Sequence, residues 1–123
     1  MLLVDGMFSP EEFSDLEIEA AFEVFVEQIN EKLEEHYRVR FPSLTPETVH
    51  VQAGRAYWKL VKGTAAGKNQ SVYGFVRKSD GAILKAATWR APYTRGNNYV
   101  RGYVMQDNAI DATTPYGIIY QRY

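Results

Sequence analysis

Cysteine is absent from this sequence. That excludes disulfides and thiolate metal sites, and nothing points to an oxidising compartment. Histidine is scarce, with only His36 and His50 present, and no His/carboxylate cluster has metal-ligand spacing. Long apolar runs are also missing, so no segment reads as a membrane span. The N-terminal residues lack the basic and apolar regions of a signal peptide, and the expected location is the cytoplasm. There is no phosphate-binding loop, nucleophile elbow or dinucleotide fingerprint. Beyond the N-terminal third only four carboxylates occur, Glu47, Asp80, Asp107 and Asp111. Acid–base chemistry therefore has few groups to draw on. The expectation is a protein that is not an enzyme, with no catalytic residue, no metal and no cofactor.

What is present fits one domain over residues 1–123. Hydrophobic residues make up 46% of the 123 positions and aromatics 14%, enough for a single core. The net charge of −1 conceals a division. Residues 1–37 hold eleven acids and one base, Lys32, for a net of −10; residues 38–123 hold four acids and thirteen bases, for +9. Such asymmetry has two readings. Either the basic part meets an anionic partner, or an acidic helix complements a basic sheet within one fold.

The acidic part, residues 9–37, predicts one long helix. Ser9 suits the N-cap, Pro10 the first helical position, and Glu12 closes a capping box. Ile18, Phe22, Phe25, Val26, Ile29, Leu33 and Tyr37 recur at helical spacing as one apolar stripe. Phe13, Leu16, Ala20 and Val24 form a second. The first suits a sheet. The second predicts a homo-oligomer, a dimer or larger, built through the helix; coverage by the C-terminal tail is the alternative. Pro42 and Pro46 end the helical pattern. The period then alternates, predicting strands over 48–53, 55–62, 71–78, 82–90, 99–105 and 116–122, with a turn at Ser79-Asp80-Gly81. Gly54 marks a bulge or tight bend. The expected fold is α+β: a long N-terminal helix packed on a four- to six-stranded antiparallel sheet, 48–123.

One run stands apart. Residues 85–102 place four cations, three aromatics and two amides in eighteen positions with no acid. Arginine forks pair phosphate oxygens, aromatic and guanidinium planes stack on bases, and amides read ribose or base edges. The candidate ligand-binding residues are Phe75, Lys85, Trp89, Arg90, Arg95, Asn97, Asn98 and Arg101. Each has a plainer reading. Trp89 serves equally as core or platform. Lys85 and Arg90 fill a polar sheet face, and Asn97 turns the chain. Phe75 fits the core better than a site and is included only because its strand adjoins 85–89. Arg95, in a Gly/Asn loop, is the hardest to explain structurally.

Residues 71–92, ending Lys-Ala-Ala-Thr-Trp-Arg-Ala-Pro, followed by Arg95-Gly96-Asn97, resemble a pattern in small bacteriophage proteins, the first-described family of anti-Thoeris sponges. The resemblance covers about a quarter of the chain and the helix-then-sheet order. It departs at Tyr93-Thr94 and at Asn98-Tyr99. It implies an oligomeric, non-catalytic protein of the infected bacterial host's cytoplasm that binds and sequesters a cyclic ADP-ribose isomer. A single-stranded nucleic-acid-binding phage protein is the alternative; there the −10 helix would repel a long polyanion unless it faced away.

Overall fold

A computed structural model describes residues 8–64, 67 and 69–119. It shows an α+β arrangement. Helix α1 (Asp15–Arg40) precedes a five-stranded sheet of β1 (Thr48–Ala53), β2 (Tyr57–Gly63), β3 (Ser71–Arg77), β4 (Ala82–Leu84) and β5 (Val100–Tyr103). The strands pair antiparallel in chain order, a meander. A small hairpin follows, β6 (Thr113–Thr114) with β7 (Gly117–Ile118).

The helix starts later than expected. Pro10–Glu12 forms a separate 3-10 turn, and Ser9 makes no side-chain cap bond to it. Phe13 is extended, at φ −101° and ψ 138°, which lets its ring stack on Phe8 with centroids 5.8 Å apart. The true cap is the second Ser-x-x-Glu in the sequence. Ser14 Oγ accepts from the Glu17 amide, and the Glu17 carboxylate accepts from the Ser14 amide. At the other end α1 runs to Arg40, since nothing before Pro42 breaks it.

The first apolar stripe is buried as the spacing predicts. Ile18, Phe22, Phe25, Ile29 and Leu33 lie against Val49, Leu60, Tyr73, Val76 and Ile83 of the sheet. Phe22 stacks on Trp58 at 4.1 Å and 9° between planes. The second stripe is different: Leu16 is 78% exposed and Val24 52%, while Phe13 packs on the core. Lys32, the helix's one base before Arg38, donates to Thr113 O and Oγ1 at 2.9 and 3.2 Å, pinning β6 to the helix. Asn30 reaches β1, donating to Val49 O at 3.0 Å and accepting from Val49 N at 2.7 Å.

Strand ends are shorter than the alternation suggests. The expected 55–62 strand is Tyr57–Gly63 and 99–105 is Val100–Tyr103. The 82–90 strand stops at Leu84, because the chain leaves the ladder at Lys85 for a narrow excursion. Of the expected 116–122 strand, Gly117–Ile118 is formed, and residues 120–122 lie outside the described residues. The Asp80-Gly81 turn forms: Gly81 sits at φ +74°, and its amide donates to Arg77 O at 2.8 Å. Arg77 forks onto Asp80 at 3.0 and 2.8 Å. That pairing, with help from Tyr99, holds the guanidinium charged well above its ordinary range.

Two expectations for stability follow from this packing. A Cβ at Gly74 would stand 2.3 Å from Ile118 Cγ1. Gly74→Ala is therefore expected to lose roughly 1–3 kcal/mol in urea unfolding, partly recovered in the Gly74→Ala/Ile118→Ala double variant. Tyr37 donates to Glu47 at 2.6 Å, and that bond pushes its phenol from 10.0 up to about 12. Above about pH 10 the unfolded chain sheds this proton while the folded chain keeps it, so stability falls toward pH 12. Urea midpoints measured at about pH 8 and about pH 11 should fall less for Tyr37→Phe than for the parent.

Candidate functional site

The sheet has a second face, turned away from α1. Phe75, Ala82 and Leu84 are buried there, with Tyr57, Val72, Ala86, Tyr99, Val100 and Tyr103 packed around them. Cross-strand pairing sets Lys59 beside Phe75, and Phe75 beside Leu84. Lys59 thus points to this face while its neighbours Trp58 and Leu60 point to the helix.

Residues 85–93 form a pinched excursion near this face. Ala86 bridges Pro92, and Tyr93 N donates to Lys85 O at 2.8 Å. At the tip, Ala87 and Thr88 amides donate to Ala91 O at 3.0 and 3.1 Å. Thr88 Oγ1 accepts from the Arg90 and Ala91 amides, both at 3.2 Å. This serine/threonine-type turn holds Trp89 and Arg90 out at the apex. The Thr-Trp-Arg order matters, because Thr88 fixes the backbone of the two residues after it.

The apex folds back onto the sheet. Lys59 Nζ lies 3.5 Å from the centroid of the Trp89 ring, a cation–π contact. Trp89 as a whole is still 42% exposed. Loss of hydration, and then the charge of Arg90, lower the Lys59 ammonium below its ordinary value. Nearer the base of the excursion, Lys85 Nζ stands 5.2 Å from the Tyr93 centroid. Each of the two rings thus carries one lysine, Lys59 at Trp89 and Lys85 at Tyr93.

The expected residues divide into three groups. Trp89 and Arg90 share the apex, and Lys85 sits at the base of the same excursion. Phe75, 3% exposed, is floor: Tyr57 meets it edge-on at 6.1 Å, so its own ring offers no surface for stacking. Arg95, Asn97 and Asn98 are exposed farther along the loop, where Gly96 at φ +77° has open space around it. Among the described residues no hydrogen bond or ring contact ties Arg95 or Asn97 to Trp89 or Lys59. Arg101 braces the chain: Nε donates to Ile119 O at 3.1 Å, and Nη1 to Asn98 O at 2.8 Å. Lys59 lies outside the 85–102 run. Its signal was the alternation of Arg55, Tyr57 and Lys59 against Ala56, Trp58 and Leu60. Tyr93 falls within the run, but its pairing with Lys85 depends on the pinched backbone.

Two of the four carboxylates beyond the helix are held by partners of their own. Asp80 is held by Arg77 and by the Ala82 amide at 3.1 Å. Glu47 is held by Tyr37, and Asp107 and Asp111 are exposed around the 3-10 turn Ala109–Ala112. No ion pair joins Arg90 or Arg95 to a carboxylate among the described residues. Nor do three or more His or carboxylate groups gather there as a metal site would need. The arrangement can hold an anion beside a ring.

The profile of a family of unknown function, DUF7717, matches residues 9–112. The chain belongs to that family. The DUF7717 match takes in α1, the whole five-stranded sheet and every residue of the Lys59–Trp89–Arg90 cluster. No curated protein and no solved structure matches the chain. No helix among the described residues is long and apolar enough to cross a membrane.

The floor and the apex should respond differently to truncation. Phe75→Ala is expected to cost roughly 3–5 kcal/mol in urea unfolding. Trp89→Ala should cost no more than about 1 kcal/mol, the scale of an exposed cation–π contact. Equal losses would mean that Trp89 is a core residue.

Proposed function

We propose that this protein binds a cyclic nucleotide of the cyclic ADP-ribose type and sequesters it without converting it. The observation that carries this reading is the Lys59–Trp89–Arg90 cluster. Lys59 lies over Trp89 at 3.5 Å, and its proton affinity is lowered by lost hydration and by Arg90. A phosphate entering beside them relieves that repulsion. Lysine binds it as a point charge and arginine by a bidentate fork. The exposed part of the Trp89 ring offers a stacking surface for an adenine. Lys85 with Tyr93 supplies a further cation and ring, and Arg95, Asn97 and Asn98 are exposed groups able to close over the ribose. The choice of cyclic ADP-ribose within this chemistry rests on the resemblance of residues 71–97 to phage sponges.

Sequestration needs affinity and no general base, which agrees with Asp80 and Glu47 being held by partners elsewhere in the fold. Self-association through α1 is part of the same proposal. Leu16, Ala20 and Val24 remain exposed on the helix, and a pocket shared by two copies encloses more of a small ligand. The setting proposed is the cytoplasm of an infected bacterium.

Calorimetry with cyclic ADP-ribose isomers tests this. The parent should bind tightly and with weak salt dependence. Lys59→Ala, Arg90→Ala and Trp89→Ala should each weaken binding at least about tenfold, the scale of one charge-assisted or stacking contact. Ligand released by denaturation should be chemically unchanged. Affinity should also decline as pH rises toward deprotonation of Lys59, since the bound anion favours the ammonium. Binding of single-stranded DNA alone, with a steep salt slope, would assign the cluster to nucleic acid instead.

A further inference from the structure

The sheet has an open edge remote in sequence from the Trp89 loop. Among the described residues strand β1 pairs only with β2. Its backbone parity is fixed at two points. Asn30 takes both the N–H and the C=O of Val49, so Val49 faces away from β2. At the hairpin, Gly54 N donates to Tyr57 O at 2.9 Å, so Gly54 faces toward it. In an antiparallel ladder the residues of one parity bond inward and the others outward. Val51 and Ala53 therefore direct their N–H and C=O groups to the open edge, and both residues are exposed.

Edges of this kind are usually blunted by lysine, proline or a bulge. β1, Thr-Val-His-Val-Gln-Ala, has neither lysine nor proline, and its register with β2 runs without a shift. Among the described residues its one seal is the Asn30 carboxamide, which mimics a neighbouring strand for a single residue and leaves the rest open. The surroundings select the occupant. Positions three, four and seven residues from Asn30 share its side of α1. On the outward flank these are Glu27, Glu34 and Glu23, all exposed. A strand laid along β1 thus meets unpaired amides at the edge and a row of carboxylates on the helix side. A second copy of β1 would bring the same acidic row against itself. An extended peptide with cationic side chains would not.

We propose that β1 is a docking edge for an extended basic peptide segment of a partner protein, added as a sixth strand beside Val51 and Ala53 with its cations against Glu23, Glu27 and Glu34. Strand addition takes affinity from main-chain bonds and preference from alternate side chains. This is independent of any nucleotide bound on the far face.

Hydrogen exchange on the full chain, read by NMR, tests the geometry first. The Val51 and Ala53 amides should exchange near the rate of an unstructured chain, while Gln52, bonded to β2, is protected. A fluorescein-labelled synthetic peptide of alternating lysine and valine should then slow exchange at Val51 and Ala53 at least about tenfold. Its binding, followed by anisotropy, should fall with added salt. Val51→Pro removes the outward donor and leaves the inward ladder intact, a substitution edge positions tolerate. It should abolish binding with unchanged circular dichroism. The triple variant Glu23→Gln/Glu27→Gln/Glu34→Gln, which leaves β1 untouched, should weaken binding and flatten its salt dependence. Protection of Val51 in the free chain would overturn the proposal, as would peptide binding indifferent to both variants. Protection that fades on dilution would assign the edge to a second copy and also overturn it.

Discussion

The packing of α1 across one face of the meander orders the rest of the molecule. Phe22 lies flat on Trp58 at 4.1 Å, and Ile18, Phe25, Ile29 and Leu33 continue that contact along the helix. A meander of this size has two faces and too few residues to bury both equally. Because the helix packs on one of them, Trp58 and Leu60 are committed to that side. Their neighbours Tyr57 and Lys59 are committed to the other by the two-residue period of the strand. The position of Lys59 beside the excursion is thus a consequence of where Phe22 sits.

The division of charge follows the same geometry. Ten of the acids of the N-terminal segment lie within residues 11–35, on surfaces of the helix region that the core does not use. The helix covers one face of the sheet, and the Lys59–Trp89–Arg90 cluster lies on the opposite one. Acidic helix and basic loop are therefore held apart by the thickness of the core. Where opposite charges do meet, as at Arg77 and Asp80, the pair serves a turn. Lys32 serves a similar end, tying the helix to Thr113 through a carbonyl and a hydroxyl and not through a carboxylate.

Much of this was legible in the residues. The period of Ile18, Phe22, Phe25, Ile29 and Leu33 gives the helix and its buried side, and the alternation around β1 to β3 gives those strands nearly to the residue. Two kinds of feature escaped. The first is competition between equivalent local signals: Ser9-x-x-Glu12 and Ser14-x-x-Glu17 are both capping boxes on paper. The choice between them is made by Phe13, which packs against Phe8 and the core only if the chain is extended at that point. The second is long-range pairing. That Lys59 would lie over Trp89, that Asn30 would cap a strand nineteen positions away, and that Arg101 would brace Ile119 depend on contacts that no local period encodes. Within the candidate site, Trp89 and Arg90 carried a local signature because the Thr88 turn is local. Phe75 is adjacent to the 85–89 stretch in the strand order, and adjacency does not distinguish floor from surface.

The pinched excursion has a further meaning for how this family can vary. Its neck is closed by the Ala86–Pro92 bridge and the Tyr93–Lys85 bond, while the stretch from Arg95 to Asn97 beyond it is exposed. The five-stranded ladder is complete on either side of the loop, in β4 and β5. Lengthening or recasting residues 94–97 would change this exposed stretch without moving a strand, since loop-closure entropy grows only slowly with length. The fold thus separates the Lys59–Trp89 contact, set by the sheet and the pinched neck, from an exposed stretch beyond it. One scaffold of this design can change the surface of its loop while its core stays as it is.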